Sequence, residues 1–218
     1  MAMSNNPRTG SAVPSQGPRL LLIRHTAPEI APGLCYGRLD IPARPQELDA
    51  WLADWDSGRH PGQPWAGYRQ VLSSPAQRCR TLAIALAQRL GLPLHIDPAW
   101  QEMDFGAWEG QSWDAIGQPA IDAWAADPLD FAPGDGESAC AMAQRVVAAY
   151  AAWRLQGQDT ILVTHGGVIR LLQVWHAVLP ANGPAPDQAA LQSACRQALD
   201  QAPPPCGGLL LLEPSPAP

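Results

Sequence analysis

An uninterrupted run of aliphatic residues, Leu20 to Ile23, constrains the fold more than any other feature of the sequence. Polar and apolar side chains do not alternate in this run, a pattern typical of a strand that is buried on both faces. Arg24 and His25 follow directly, although a buried strand has no need of a cation or an imidazole. Because ligands of open α/β sheets bind just beyond the carboxyl ends of the strands, we expect these two residues to belong to a site.

Further short apolar runs alternate with stretches of helical spacing along the rest of the chain. Strands are predicted at Tyr68–Leu72, Leu94–Ile96, Thr160–Val163 and Leu209–Leu212. Helices are predicted at Pro45–Trp55, from Ser73-Ser74-Pro75 to Leu90, from a Ser138 cap to Leu155, at Val168–Val178 and, more weakly, within Trp113–Trp124 and Pro180–Pro205. Strands that alternate with helices of this length predict an α/β fold, a three-layer α/β/α arrangement with a mostly parallel sheet.

Length and composition predict one folded unit. The chain has 218 residues, of which 46% are hydrophobic and 16% charged, so a single domain is expected over residues 19–213. The Asn-, Ser-, Pro- and Gly-rich residues 1–18 are expected to form a disordered tail, and residues 214–218 a loose C-terminal end. No apolar run approaches the roughly 18 residues of a spanning helix. The five cysteines are odd in number and include no Cys-x-x-Cys pair, which favours a reduced, cytoplasmic protein.

The charged residues narrow the range of partners. Twenty acidic residues against 14 basic ones give a formal charge of −6, which argues against a nucleic acid or a membrane as partner. All 14 basic residues are arginine, so the chain lacks the lysine that a Walker P-loop or Schiff-base chemistry requires. We therefore expect a small-molecule partner, with any anion held by clustered arginines, and a monomer or a homodimer.

The residues able to do chemistry fall at the predicted strand ends. His25 and His165 each follow an apolar strand, and parallel pairing would bring them to the same edge of the sheet. Arg78 lies in the first turn of the helix after the second strand, and Glu102 follows the third strand. Two guanidinium groups converge naturally on a phosphate, a neutral imidazole can attack phosphorus, and a carboxylic acid can protonate the leaving oxygen. The set predicts metal-independent phosphoryl transfer through a phosphohistidine.

Four motifs occur in order along the chain: Arg24-His25-Thr26, Ser73-Ser74-Pro75-x-x-Arg78-x-x-Thr81, Glu102-x-x-Phe105-Gly106-x-Trp108-Glu109-Gly110 and Thr164-His165-Gly166-Gly167-Val168-Ile169-Arg170. Together they resemble the histidine phosphatase superfamily, the phosphoglycerate mutase-like proteins. The resemblance implies a phosphoglycerate mutase-like fold with no metal or organic cofactor. It implies that His25 is the phosphorylated nucleophile, that Arg24, Arg78 and His165 hold the phosphoryl group, and that Glu102 is the proton donor and then the base.

The segment after the first motif is similar to a particular branch of this family. Arg-His-Thr followed by Cys35-Tyr36-Gly37-x-x-Asp40 looks like the α-ribazole phosphatases, which serve cobalamin biosynthesis. That resemblance implies a hydrolase of a small phosphomonoester, with α-ribazole 5′-phosphate as a candidate substrate. Further contacts to the substrate are expected from Thr26, Tyr36, Gly37 and Gly166.

The sequence also departs from the commoner pattern of the family. Thr26 replaces the usual glycine, and Ala31 replaces an asparagine, so the phosphate pocket is expected to lack one amide donor. Lysine contacts and a Glu-Arg-x-Tyr-Gly segment, both typical of phosphoglycerate mutases, have no counterpart here. A hydrolase is therefore favoured, with a mutase-type phosphotransferase or a non-catalytic, phosphoester-binding regulatory protein as alternatives.

Several other residues of the sequence are also candidates for the site. Glu109 is a rival of Glu102 for the acid role, although the resemblance assigns it to the fold. Three arginines, Arg38, Arg80 and Arg170, are candidates for the lining of the pocket, although solvated or helix-side positions are favoured for them. Structural roles are expected for three histidines, His60, His95 and His176.

Overall fold

The computed structural model describes residues 17–60, 65–178 and 187–214 and is built around a five-stranded sheet. The strands are β1 Leu20–Arg24, β2 Gln70–Ser73, β3 Leu94–Ile96, β4 Thr160–Thr164 and β5 Leu209–Leu212. Their order across the sheet is β3-β2-β4-β1-β5. The first four strands run parallel, and β5 pairs antiparallel with β1 at the edge. The mostly parallel sheet predicted from the sequence is confirmed.

The helices of the described chain connect and cover these strands. They are α1 Pro45–Asp56, α2 Gln77–Leu90, α3 Trp113–Ile116, α4 Gln118–Ala126, α5 Ala139–Gln156, α6 Gly166–Val178 and α7 Gln188–Leu199. Short 3-10 turns lie at Pro98–Trp100, Gly106–Trp108 and Pro133–Asp135. Ser138 caps α5 by accepting from the backbone N–H of Ala141, and Gly91 ends α2 in the left-handed conformation, both as the sequence predicts.

Successive residues of the central strands pack on opposite faces of the sheet. Leu22 and Leu162 join an apolar cluster formed with α5, α6 and α7. Ile23 and Val163 join a second cluster formed with α1 and α2. Both faces of β1 and β4 are therefore buried, which explains why their sequences are continuously apolar. The three-layer α/β/α arrangement is confirmed.

The start of α2 differs from the prediction. The helix was expected to begin at Ser73-Ser74-Pro75, whereas it begins at Gln77 with no side-chain cap from its own segment. The carboxylate of Asp40 instead accepts from the backbone N–H of Gln77 at 2.6 Å. The hydroxyl of Ser74 accepts from the backbone N–H of Ala76 at 3.3 Å, one residue before the helix, and contacts the ring of His165 at 2.7 Å. The side chain that binds the first backbone N–H of α2 thus comes from a distant loop and not from the serines that precede the helix.

Other expectations fall partly outside the described residues. Apart from Gly17 and Pro18, the N-terminal tail lies outside them, as do residues 215–218 and the part of Pro180–Pro205 that precedes Asp187. Among the described helices, none combines the length and the apolar character that crossing a membrane requires.

Candidate active site

The register of the sheet brings the two strand-end histidines together. Arg24 of β1 pairs with Thr164 of β4, so His25 and His165 are the next residues along two adjacent parallel strands. The backbone N–H of His25 donates to the carbonyl oxygen of Thr164 at 3.0 Å. The centroids of the two imidazole rings lie 5.2 Å apart.

His25 is a neutral imidazole in a defined tautomer. Its ring is 2% exposed, and Nδ1 lies 2.7 Å from the carbonyl oxygen of Thr26. Because a carbonyl oxygen can only accept, Nδ1 carries the proton and Nε2 keeps its lone pair. Burial, followed by the positive charges of Arg78 and Arg24, lowers the pKa of His25 to about 3, against the opposing effect of the Thr26 hydrogen bond. The ring is therefore unprotonated at neutral pH, as a nucleophile must be.

Arg78 is fully buried and is held by a loop from another part of the chain. Its Nη1 donates to the carbonyl oxygen of Leu39 at 2.8 Å, and its Nη2 donates to that of Gly37. The Tyr36 ring lies 5.5 Å from the guanidinium carbon. Within the described chain, Nε of Arg78 is buried and has no hydrogen-bond partner. Buried donors are rarely left unpaired in native structures, and Arg78 itself lines the cavity described below.

His165 is fixed on both sides of its ring. Nδ1 lies 3.3 Å from Nη2 of Arg78, and Nε2 lies 2.7 Å from the hydroxyl oxygen of Ser74. Since a guanidinium only donates, Nδ1 is the acceptor and Nε2 carries the proton. Burial, followed by the charge of Arg78, lowers the pKa of His165 well below its ordinary value. Both imidazoles are thus neutral, and the positive charge of the site comes from arginine.

Arg24 is held by the segment that precedes β5. Its Nη1 donates to the carbonyl oxygen of Pro204 at 2.7 Å, and its Nε is buried without a partner among the described residues. The backbone N–H of Gly207 lies within 3.1 Å of the carbonyl oxygens of both Arg24 and His25, and the carbonyl of Gly208 accepts from Arg24 N–H at 3.0 Å. The backbone of Arg24 and His25 is therefore ordered by residues 204–208.

Glu102 binds the first turn of α6. Its Oε2 accepts from the backbone N–H of Gly167 at 2.9 Å, and its Oε1 accepts from that of Met103 at 3.1 Å. A Cβ at position 167 would collide with the Glu102 carboxylate, so a glycine is needed for this close approach. The two hydrogen bonds fix the carboxylate in the wall of the cavity that contains His25.

One cavity of about 400 Å³ collects most of the predicted site residues, namely Arg24, His25, Tyr36, Arg78, Glu102 and His165. Three other residues expected to contact the substrate do not line it. Thr26 and Gly37 supply the carbonyl oxygens that hold His25 and Arg78. Gly166 is covered, since a Cβ there would lie 3.3 Å from the guanidinium carbon of Arg24. These three residues contact the side chains of the site without lining the cavity. Gly167 lines the cavity in place of Gly166.

Sequence reasoning missed part of the cavity wall. Arg170 was expected on the solvated side of its helix, yet it lines the cavity. Its position three residues after Gly167, which lines the cavity, was the available signal, because residues at that spacing share one helix face. Arg38 and Arg80 do not line the cavity, and Arg38 pairs with Asp104 and Glu137. The apolar wall from α4, α5 and α7 carries no local sequence signal of a site.

Glu109 has a role distinct from that of Glu102. Its carboxylate accepts from the backbone N–H groups of Gly37, Arg38, Leu39 and Phe105, at 2.8 to 3.1 Å. It is absent from the cavity wall. Glu109 therefore fixes the loop whose carbonyl groups hold Arg78, which agrees with a role in the fold rather than as the acid. Among the described residues, no group of three or more His, Cys, Asp and Glu side chains is placed to hold a metal ion.

Comparison with known proteins adds independent findings. Residues 20–200 match the family model described as the histidine phosphatase superfamily, branch 1. The chain is 33% identical over 124 residues to the glucosyl-3-phosphoglycerate phosphatase of Mycolicibacterium vanbaalenii, a match that covers 51% of this chain and 55% of that protein. The chain thus spans little more than half the length of that relative.

Two further proteins match over a larger share of their length. The adenosylcobalamin/alpha-ribazole phosphatase of Salmonella typhimurium is 29% identical over 171 residues, which cover 75% of this chain and 81% of that protein. The crystal structure of the alpha-ribazole phosphatase from Shigella flexneri superposes with a TM-score of 0.63 at 28% identity, covering 75% of this chain and 81% of that one.

Proposed function

The chain belongs to the histidine phosphatase superfamily, branch 1, and from that membership we propose that it hydrolyses small phosphomonoesters through a phosphohistidine at His25. One observation carries the proposal. A neutral His25, with its tautomer fixed by Thr26, lies in one cavity with Arg24 and Arg78, each of which has a buried Nε–H without a partner in the described chain. A phosphoryl group is an anion that two guanidinium groups can bind beside a neutral nucleophile.

In the first step His25 attacks the phosphorus of the bound ester. The lone pair of Nε2 forms the N–P bond as the bond from phosphorus to the alcohol oxygen breaks. The proton of the Glu102 carboxylic acid passes to that oxygen, so the alcohol leaves neutral. Arg24 and Arg78 stabilise the negative charge on the transferring group, whose catalysis depends mainly on positioning and electrostatics.

In the second step water hydrolyses the phosphoenzyme. Glu102, now a carboxylate, accepts a proton from the attacking water as the new P–O bond forms. The N–P bond then breaks, and the electron pair returns to Nε2 of His25. Inorganic phosphate leaves, and both residues regain their starting protonation states.

The identity of the alcohol is a finer proposal. The Salmonella relative, which matches over most of its length, and the segment Cys35 to Asp40 favour α-ribazole 5′-phosphate. The Mycolicibacterium relative favours glucosyl-3-phosphoglycerate instead. Rates of phosphate release from these two esters, measured side by side, would decide between them.

We expect a covalent phosphoenzyme to form on His25 during turnover. The enzyme is mixed with a ³²P-labelled phosphomonoester, quenched in alkaline denaturant and mapped by peptide. Label that is stable in alkali, lost in acid and confined to the peptide containing His25 supports the proposal. Absence of label from every ester would favour a non-catalytic binding protein, and transfer of label to a second substrate faster than phosphate release would favour a mutase.

Replacing Glu102 with glutamine is expected to slow alkyl phosphate esters by about 10²- to 10⁴-fold, because a poor leaving group needs the proton that Glu102 donates. Aryl phosphates leave as stabler anions, so their phosphorylation step should slow far less. The measurement is kcat/KM for each class. Equal slowing of both classes would remove Glu102 from the acid role.

A further inference from the structure

The cavity that contains His25 extends between helices α4, α5, α6 and α7. Beyond the residues assigned to phosphoryl transfer, its wall includes Phe105, Trp124, Met142, Leu171 and Leu199. The last four come from α4, α5, α6 and α7. The total volume of about 400 Å³ falls in the range of about 300–1,000 Å³ typical of small-molecule sites. There is therefore room for the alcohol part of an ester as well as for its phosphate.

This part of the wall selects among alcohols by polarity. The hydroxyl groups of a polyol would lose hydrogen bonds to water against Met142 and Leu171, and these side chains offer none in return. An apolar ring would instead gain by leaving water. Phe105 and Trp124 meet edge to face, with ring centroids 5.8 Å apart and planes at 83°. A third ring can pack against such a pair by the same stacking geometries.

Resting on the phosphomonoesterase activity proposed above, the geometry points to a substrate class: phosphate esters of alcohols that carry an apolar ring system, in preference to esters of polyols. The phosphate lies with His25, Arg24 and Arg78, and the ring lies against the side chains of α4 to α7. Arg170 then serves as a specificity-determining residue.

Arg170 is the third arginine of the cavity and has no part in the proposed transfer. Its Nε is buried without a partner among the described residues, and its Nη1 reaches the carbonyl oxygen of Gln201 only at 3.5 Å. The guanidinium of Arg170 therefore makes one long hydrogen bond within the described chain, and its remaining donors have no partner among those residues. A ring that carries a hydrogen-bond acceptor or a carboxylate would satisfy them.

The test compares phosphate esters of primary alcohols, so that the leaving groups are chemically similar. The substrates are 2-phenylethyl phosphate, its 4-carboxyphenyl analogue, glucose 6-phosphate and glycerol 3-phosphate. We expect kcat/KM for 2-phenylethyl phosphate to exceed that of both polyol esters by about 30-fold or more, the effect of burying one apolar ring. We expect kcat/KM for the carboxylated analogue to be at least as high as that for 2-phenylethyl phosphate.

Substitutions in the cavity wall show which side chains cause the preference for 2-phenylethyl phosphate over the polyol esters. Leu199 is 38% exposed, so Leu199→Gln should fold, and we expect it to lower kcat/KM for 2-phenylethyl phosphate about tenfold, mainly through KM. Met142→Gln, a change of similar shape at a buried position, should do the same. Leu155→Gln is the matched control, since Leu155 is 90% exposed and does not line the cavity. Arg170→Gln should lower kcat/KM about tenfold for the carboxylated ester only.

The outcomes separate this inference from the proposed function. Phosphoenzyme formation together with equal or better turnover of the polyol esters would overturn the substrate class and leave the phosphatase intact. Failure of every ester to label the enzyme or release phosphate would overturn the phosphatase itself. An equal fall in kcat/KM for 2-phenylethyl phosphate and for its carboxylated analogue in Arg170→Gln would overturn the role given to Arg170.

Discussion

Replacing His25 with alanine is expected to lower kcat for any phosphomonoester by about 10⁴-fold or more, because no other group of the cavity can take over the attack on phosphorus. His165 has both ring nitrogens engaged, by Arg78 and Ser74. Cys195, which lines the cavity, is a thiol whose pKa burial raises to about 12. Initial rates of phosphate release would measure the loss.

His95→Ala is the matched control for this substitution. His95 lies on β3, exposed and away from the cavity, so we expect its rate to stay within about twofold of the wild type. A His25→Ala protein that unfolds in urea like the wild type yet retains a tenth of its kcat would place the nucleophile elsewhere.

Replacing Arg78 with lysine is expected to lower kcat/KM by about 10³-fold, although the charge is kept. A guanidinium can bind the carbonyl oxygens of Gly37 and Leu39 and still offer further N–H groups to a phosphoryl oxygen, whereas an ammonium is a single point donor. Removal of an arginine that stabilises transferring phosphate carries effects of about this size. Stability should also fall by about 1–3 kcal/mol, since a buried carbonyl loses its donor.

Arg89→Lys separates the geometric effect from a general effect of lysine in this chain. Arg89 lies on the same helix, α2, exposed and paired with Asp56, so the exchange should alter neither rate nor stability measurably. Assays of Arg78→Lys below the temperature at which it begins to unfold would show the loss in the folded protein. A kcat/KM within tenfold of the wild type would mean that Arg78 holds the loop and not the phosphate.

The sheet and the strand-end residues were predictable because their causes are local. A continuous aliphatic run such as Leu20 to Ile23 predicts a strand buried on both faces, and parallel pairing then brings His25 and His165 to the same edge. Arg78 lies in the first turn of α2, and its position soon after the second strand predicts that place. The contacts that hold these residues were not predictable in the same way.

Those contacts depend on which loops meet in space. Asp40 caps α2, and Glu109 binds the backbone of residues 37–39, across 37 and about 70 positions of sequence. No spacing rule relates such residues. The apolar wall of the cavity was equally hidden, because a leucine that faces a cavity and a leucine that faces the core look the same in sequence. Leu171 and Leu199 are distinguished only by how α6 and α7 pack.

The hydrogen bonds between residues 204–208 and Arg24 and His25 have a consequence during synthesis of the protein. Arg24 and Pro204 are 180 residues apart, a distance that a ribosome covers in on the order of ten to forty seconds. Until β5 has been made and pairs with β1, the strand that precedes His25 has an edge of unpaired backbone groups. The contacts that order Arg24 and His25 therefore form only late in synthesis, after residues 204–208 have been added.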